Sequence, residues 1–428
     1  MLVSLPYWLY QVARHGKYRR GFAERLGNVP ARIMAAGAAQ RVIWIHAVSL
    51  GEVLAVSGLV ERMQSAFPRH RIVVSTTTDT GQDQARKRFG EESVFYFPMD
   101  FAFAIRPYLR ALRPELLVLA ETEFWPNFLR LVRASGARIA VVNARISNRS
   151  WPRYQRFRWL LRKMLAQVDL FLAQTEEDRE RLISMGARPE RVQVAGNLKF
   201  DVTLPSPPPI VGSLRRSLRA EGAGPVLVCG STVDDEEPVL LKAFENLRVA
   251  HPRAVMILAP RHPERFDKVA ILVQQLGIAL HRRSRWQGEP LAGGVLVVDT
   301  IGELAALYGL ADVAFVGGSL VPRGGHNIIE PAQHGVAIVT GNHTENFRDV
   351  VGLFQSRDAV RIASVSELPL TLMHLLESHA ERLALGRRAK ETMESQKGAT
   401  ARTLDALQAL LMRTADRPAT SVQAAHND

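Results

Sequence analysis

The chain has 428 residues, 47% hydrophobic and 23% charged, which is enough for two separately packed cores and excludes a disordered or fibrous protein. A formal net charge of +13 points to an anionic partner, and the single cysteine, Cys229 within the apolar run VLVCG, excludes an intrachain disulfide or a thiolate metal cluster. The excess charge is confined to one half: residues 1–204 carry 31 Lys and Arg against 18 Asp and Glu, whereas residues 205–428 carry 24 of each.

Leu2 to Ala13 is apolar and aromatic, interrupted by Pro6 and Gln11, and runs into Arg14, Lys17, Arg19 and Arg20. It falls short of the roughly 20 apolar residues that cross a bilayer. It also lacks the leading charges and small-residue cleavage site of a secretory signal. Residues 1–20 are therefore expected to form a short membrane-association segment lying in the interface, its basic flank towards the cytoplasm.

Seven strand-length apolar runs follow, at 42–48, 71–77, 93–98, 116–120, 138–144, 169–174 and 191–196, with helical patterns between them. Between Phe124 and Val168 there are ten basic residues and no acid. There Trp151, Tyr154, Phe157 and Trp159 alternate with Arg153, Arg156, Arg158, Arg162 and Lys163. Such a run fits a solvated helix face, contact with anionic lipid headgroups, or nucleic-acid binding, and no nucleic-acid motif accompanies it.

The segment PSPPP (205–209) breaks every regular pattern and is expected to be the interdomain linker. A second series of strands is predicted at 226–230, 254–260, 295–299, 312–318, 337–341 and 359–363, and the polar tail from Thr414 is expected to be disordered. Alternating strands and helices predict an α/β chain of two doubly wound parallel-sheet (Rossmann-like) domains facing across a cleft. The expected boundaries are residues 21–204 and 205–400, with a C-terminal helix and tail at 401–428.

In such sheets ligands bind at the carboxyl ends of the strands. In the first domain these ends deliver HAVSLGE (46–52), TTTDTG (76–81) and AETEFWPN (120–127), so that Ser49, Glu52, Glu121 and Glu123 are expected at the cleft, with Glu24 nearby. Each acid is equally compatible with a helix cap or a salt bridge. In the second, VLVCG runs into Gly230, Ser231 and Thr232 followed by four acids, and the next strand ends in Arg261 and His262. The strongest signal is DVAFVGGSLVPRGGHNIIEPA (312–332). Its glycines Gly317, Gly318 and Gly325 let a ligand approach the backbone, helix-start amides face an anion, and Glu330 can accept both ribose hydroxyls. No Asp-x-Asp motif or histidine cluster offers a metal site, and no cofactor is implied.

Taken in order, ERLG, HAVSLGE, TTTDTG, ETEFWPN, GNLKFD, CGST, APRHPERF, GGHNIIEPA and HTENF resemble the 3-deoxy-D-manno-oct-2-ulosonic acid (Kdo) transferases, from about Tyr18 to about Phe354. The resemblance implies a GT-B glycosyltransferase that moves Kdo from CMP-Kdo to a lipid A precursor at the cytoplasmic face of the inner membrane, with inversion and without a metal. It implies Glu24 as general base and Glu121 as a second catalytic acid. On the donor side it implies Lys199, Ser231, Thr232, Arg261, His262, Gly317, Gly318, Ser319, Gly325, Asn327, Glu330 and Asn346. The acceptor and membrane side would comprise Arg19, Arg20, Ser49, Glu52, Glu123, Arg153, Arg156 and Arg158. Where that family carries a histidine after Ser-Thr, this chain has Val233. The alternatives are a GT-B enzyme using a UDP-sugar, a sugar-nucleotide epimerase of the same architecture, or a basic nucleic-acid-binding protein.

Overall fold

A computed structural model describes residues 20–34, 40–147, 150–201 and 207–415. The expected membrane segment up to Arg19 and the polar tail beyond residue 415 lie outside the described residues. The chain divides into two compact units, Met1–Val202 with Gln396–Asp428, and Thr203–Ser395.

The N-terminal unit is a seven-stranded sheet of β1 (Arg41–His46), β2 (His70–Thr76), β3 (Val94–Tyr96), β4 (Pro114–Ala120), β5 (Arg138–Ala144), β6 (Leu170–Ala173) and β7 (Val192–Val194), in the order β3-β2-β1-β4-β5-β6-β7. Every pairing is parallel. Side chains alternate across a strand, and both faces are covered: Val42 and Trp44 enter one core, Ile43 and Ile45 the other. This is why the strands read as unbroken apolar runs.

The C-terminal unit repeats the plan with β8 (Val226–Thr232), β9 (Val255–Pro260), β10 (Leu280–Arg282), β11 (Val295–Val297), β12 (Val313–Val316), β13 (Ala337–Thr340) and β14 (Arg361–Ile362), in the order β10-β11-β9-β8-β12-β13-β14. Only β10 has no counterpart in the sequence prediction. It is a three-residue edge strand, Leu-His-Arg, whose half-buried side chains give no apolar run.

The last helix, Ala399–Ala415, returns to the N-terminal unit. Leu407, Leu410 and Leu411 pack in one core with Val53, Val56, Leu59 and Met63 of the helix Leu50–Ala66. Asp201 caps its start, accepting from the amides of Gly398, at 2.7 Å, and Thr400. Residues 396–400, assigned by sequence to the second domain, therefore belong to the first. Periodicity showed a helix there, but not which sheet its apolar face would cover.

Candidate functional site

In each unit the strand order reverses at one point, between β1 and β4 and between β8 and β12. At such a point the loops leave in opposite directions and open a crevice at the carboxyl edge. Of the residues singled out from sequence, Ser49, Glu52, Glu121 and Glu123 follow β1 and β4, and Ser231, Thr232 and Gly317–Ser319 follow β8 and β12.

After β1, Ser49 is the N-cap of the helix Leu50–Ala66: its hydroxyl accepts from the Glu52 amide and donates to Glu52 Oε1 at 2.9 Å. The other oxygen of Glu52 accepts from the Val48 amide at 2.8 Å. Ser49 and Glu52 thus form a helix cap, in which the Ser49 hydroxyl proton is committed to Glu52. Burial, then the charge of Glu121, pushes the Glu52 carboxyl up to about 8, so it is largely protonated at neutral pH. Glu123 is raised for the same two reasons in the same order. Glu121, at the end of β4, has φ of 56°, in the left-handed region that costs a non-glycine residue. Its side chain lies 3.9 Å from Lys199 Nζ. Lys199, expected on the donor side, is therefore part of the N-terminal unit's acidic site, because the GNLKFD segment ends β7's connection there.

Glu24 stands apart from these three acids. Its Oε1 accepts from Arg32 Nη2 at 2.7 Å and its Oε2 from the Tyr96 amide at 2.8 Å, at the end of edge strand β3. With 14% of its side chain exposed it is oriented by both donors. Its neighbour Arg25 is buried, its guanidinium 4.3 Å from the Tyr96 ring centroid and bonded to the Thr77 carbonyl. In ERLG, then, the arginine positions the short helix and the glutamate reaches the sheet edge. Arg20 is paired with Asp83 through two 2.9 Å bonds, and Arg19 lies outside the described residues.

The C-terminal unit corrects the expectation that the Gly317–Ser319 turn offers its amides to a phosphate. The carboxylate of Glu236, fully buried, accepts from the amides of Gly318 at 2.7 Å, Ser319 at 2.8 Å, Leu320 at 2.9 Å and Val233 at 3.0 Å. A side chain of the protein already fills the anion-binding turn. Gly317 is needed for this fit, since a Cβ there would stand 2.7 Å from Glu236 Oε2 and 2.8 Å from the Ser231 carbonyl. The Ser319 hydroxyl is also internal, donating to the Val316 carbonyl and accepting from the Gly341 amide. Thr232, fully buried, bonds Glu237. The Gly325 amide is held by the Gly318 carbonyl at 2.7 Å, and Asn346 Nδ2 by the Arg323 carbonyl at 3.0 Å. Gly317, Gly318, Ser319, Thr232, Gly325 and Asn346 are thus the frame of the site. Glu236 had appeared in the sequence only as one of four helix-start acids.

Inside this frame stand Arg261, His326, Asn327 and Glu330. Arg261, after β9, is exposed, and its guanidinium makes no hydrogen bond among the described residues. Burial raises Glu330, opposed by its bond from Asn327 Nδ2 at 3.4 Å and by the charge of Arg261. Gly324 to Asn327 lie in a loop; the helix is Ile329–Gln333, and Asn327 Oδ1 caps its first amide at 3.1 Å. His326, not singled out from sequence, packs on Gly318, where a Cβ would fall 2.7 Å from its ring. Burial, then the charges of Arg261 and His262, pushes it down to about 4, so the ring is neutral, and its buried Nε2 has no partner among the described residues. His262 is exposed, 3.9 Å from Glu264, and Ser231, at φ 55°, closes the same edge. Val233, where the resemblance implies a histidine, has a buried side chain that adds nothing polar.

The model of the 3-deoxy-D-manno-octulosonic-acid transferase (kdotransferase) family matches residues 20–202. The chain is 34% identical over 402 residues to the 3-deoxy-D-manno-octulosonic acid transferase of Haemophilus influenzae, covering 93% of each protein. It is 37% identical over 423 residues to that of Bordetella pertussis, covering 94% of this chain and 95% of the relative. The chain belongs to the Kdo transferase family. It is a glycosyltransferase by that membership. A putative UDP-N-acetylglucosamine 2-epimerase from Listeria monocytogenes, 12% identical, superposes with a TM-score of 0.56 over 89% of this chain and 98% of that one, and shows the shared GT-B fold class.

The N-terminal unit carries one further surface that is both basic and aromatic. In the consecutive helices Trp151–Arg156 and Arg158–Leu165, Arg153, Arg156 and Arg158 are exposed beside Phe157, Leu160 and Trp159, the last 69% exposed. No described helix is long and apolar enough to cross a membrane.

Proposed function

We propose that the chain transfers Kdo from CMP-Kdo to a lipid A precursor, with inversion at the anomeric carbon and without a metal, at the cytoplasmic face of the inner membrane. The observation that carries this reading is the setting of Arg261. A guanidinium with no hydrogen bond among the described residues stands at the carboxyl edge of the C-terminal sheet, close enough to Glu330 and His326 to shift both. It suits the single phosphate of CMP, while Glu330, with Asn327 beside it, suits the ribose hydroxyls. Ser231 and His262 lie on the same edge.

In the reaction, the acceptor hydroxyl oxygen forms a bond to the anomeric carbon as the bond from that carbon to the CMP phosphate oxygen breaks. The hydroxyl proton passes to Glu24, and CMP leaves with the electron pair of the broken bond, its growing charge offset by Arg261. Among Glu24, Glu52, Glu121 and Glu123, Glu52 is pushed up to about 8 and so is largely protonated at neutral pH, and Glu123 is raised by burial and by the charge of Glu121. Glu24 and Glu121 each face a cation, Arg32 and Lys199. This supports Glu24 as base and Glu121 with Lys199 as the pair that orients the acceptor. The exposed arginines and aromatics at 151–160 suit docking on anionic headgroups, where the acylated acceptor resides.

The test is incubation of the full chain with CMP-Kdo and tetra-acylated lipid A precursor in excess EDTA, with mass spectrometry of the lipid and NMR of the new anomeric centre. A Kdo-bearing product of inverted configuration is expected. Product only after added magnesium, retained configuration, or transfer only from a UDP-sugar would refute the corresponding part.

A further inference from the structure

We infer that Glu236 is a positioning residue for the donor: an internal carboxylate that sets the loop carrying the nucleotide contacts without touching the nucleotide itself. The inference rests on the reading that the C-terminal unit binds CMP. A carboxylate placed among four backbone amides takes the position that a bound anion occupies in other glycine-rich turns. Here the four amides come from both sides of the strand reversal. Val233 lies in the loop after β8, and Gly318, Ser319 and Leu320 lie in the loop after β12. Glu236 also starts the helix Glu237–Ala250, where a negative charge is favoured.

The consequences run outward along bonds already described. Three successive amides aimed at one carboxylate fix the peptide planes from Gly317 to Leu320. The Gly318 carbonyl then points away from Glu236 and receives the Gly325 amide at 2.7 Å. His326 lies on the face of Gly318, at a backbone φ of 68° that leaves no room for a Cβ. Asn327 and Glu330 follow within four residues and are tied to each other at 3.4 Å. Both proposed nucleotide contacts of this loop therefore hang from a turn whose conformation is set by Glu236. The ligand meets the outer side of the turn, and the buried acid meets the inner side.

Glu236→Gln keeps shape and volume but turns an acceptor oxygen into an NH2 group facing backbone N–H donors. The expected result is a folded protein with faster hydrogen exchange at Gly318–Leu320 and at least tenfold weaker CMP binding by calorimetry. The KM for the lipid acceptor should be unchanged. Asp312→Asn serves as control: Asp312 accepts from the Val226 amide and pairs with Arg382 at the opposite, amino edge of the same sheet. It should lower stability and leave CMP affinity alone. A merely structural Glu236 would make the two variants behave alike, with less active protein and unchanged affinities. Unchanged exchange in the turn, or CMP affinity within twofold of wild type, overturns the inference. If wild type itself does not bind CMP, the nucleotide reading fails, while the exchange result still decides whether Glu236 holds the turn. Should Glu236→Gln not fold, Ser319→Ala loosens the same turn from β12 and β13. It is expected to weaken CMP about threefold with faster exchange there, and wild-type behaviour in that variant also overturns the inference.

Discussion

Glu52 gives the most quantitative test of the N-terminal site. Its carboxyl moves from an ordinary 4.5 to about 8, first because it is buried and second because Glu121 is charged beside it. The folded state thus keeps a proton that the unfolded chain releases between about pH 4.5 and about 8. More protons are bound when folded, so stability falls as pH rises through that window and is steady below it. At about 1.36 kcal/mol per pH unit, the full loss is on the order of 5 kcal/mol. Glu52→Gln cannot titrate, yet it keeps an amide oxygen that accepts from Val48. Its stability relative to wild type should therefore rise by a few kcal/mol between pH 5 and pH 8, most of the gain falling above pH 6. Urea unfolding followed by tryptophan fluorescence suits the measurement, since among the described residues Trp44, Trp125, Trp151 and Trp159 belong to the N-terminal unit and Trp286 to the other. Glu121→Gln should flatten the wild-type slope by removing the second cause. Parallel curves for wild type and Glu52→Gln across this range would refute the reasoning and return Glu52 to the status of an ordinary ionised cap.

Three further outcomes are expected. Glu24→Gln should lower kcat by 10²-fold or more with CMP affinity intact, as for loss of a general base; if Glu121→Gln shows that loss and Glu24→Gln does not, the two roles are exchanged. Glu330→Ala should weaken CMP by roughly 1.5–3 kcal/mol in calorimetry without changing acceptor KM, since it removes a charged partner of the ribose, and an unchanged affinity would place the nucleotide elsewhere. Replacing Arg153, Arg156 and Arg158 by Ser should reduce sedimentation with anionic liposomes on the order of tenfold or more. High salt should do the same to wild type, and undiminished sedimentation of the variant would make those arginines a solvated face.

Much of this protein was legible along the chain because the signals are local. Among the described residues, thirteen of fourteen strands appear as apolar runs, since a parallel sheet covered on both faces needs apolar side chains at nearly every position. The order of motifs carried the family, and the carboxyl-edge rule pointed to the loops after the strands, which carry Glu52, Glu121, Glu123, Arg261 and Glu330. Tertiary structure decided what each residue does there. A glycine-rich turn before a short helix looks the same in sequence whether its amides await a phosphate or hold Glu236, because the carboxylate arrives from a loop some eighty residues earlier. Glu24 and Arg32 are eight residues apart, and neither spacing nor charge shows that they meet at the end of β3. Lys199 sits beside Glu121 because the chain leaving β7 passes the end of β4, and the last helix covers the first sheet because its leucines complete that core. Local pattern determines which elements form and which edge bears the chemistry, while the pairing of charges and amides depends on contacts between distant segments that only the folded chain brings together.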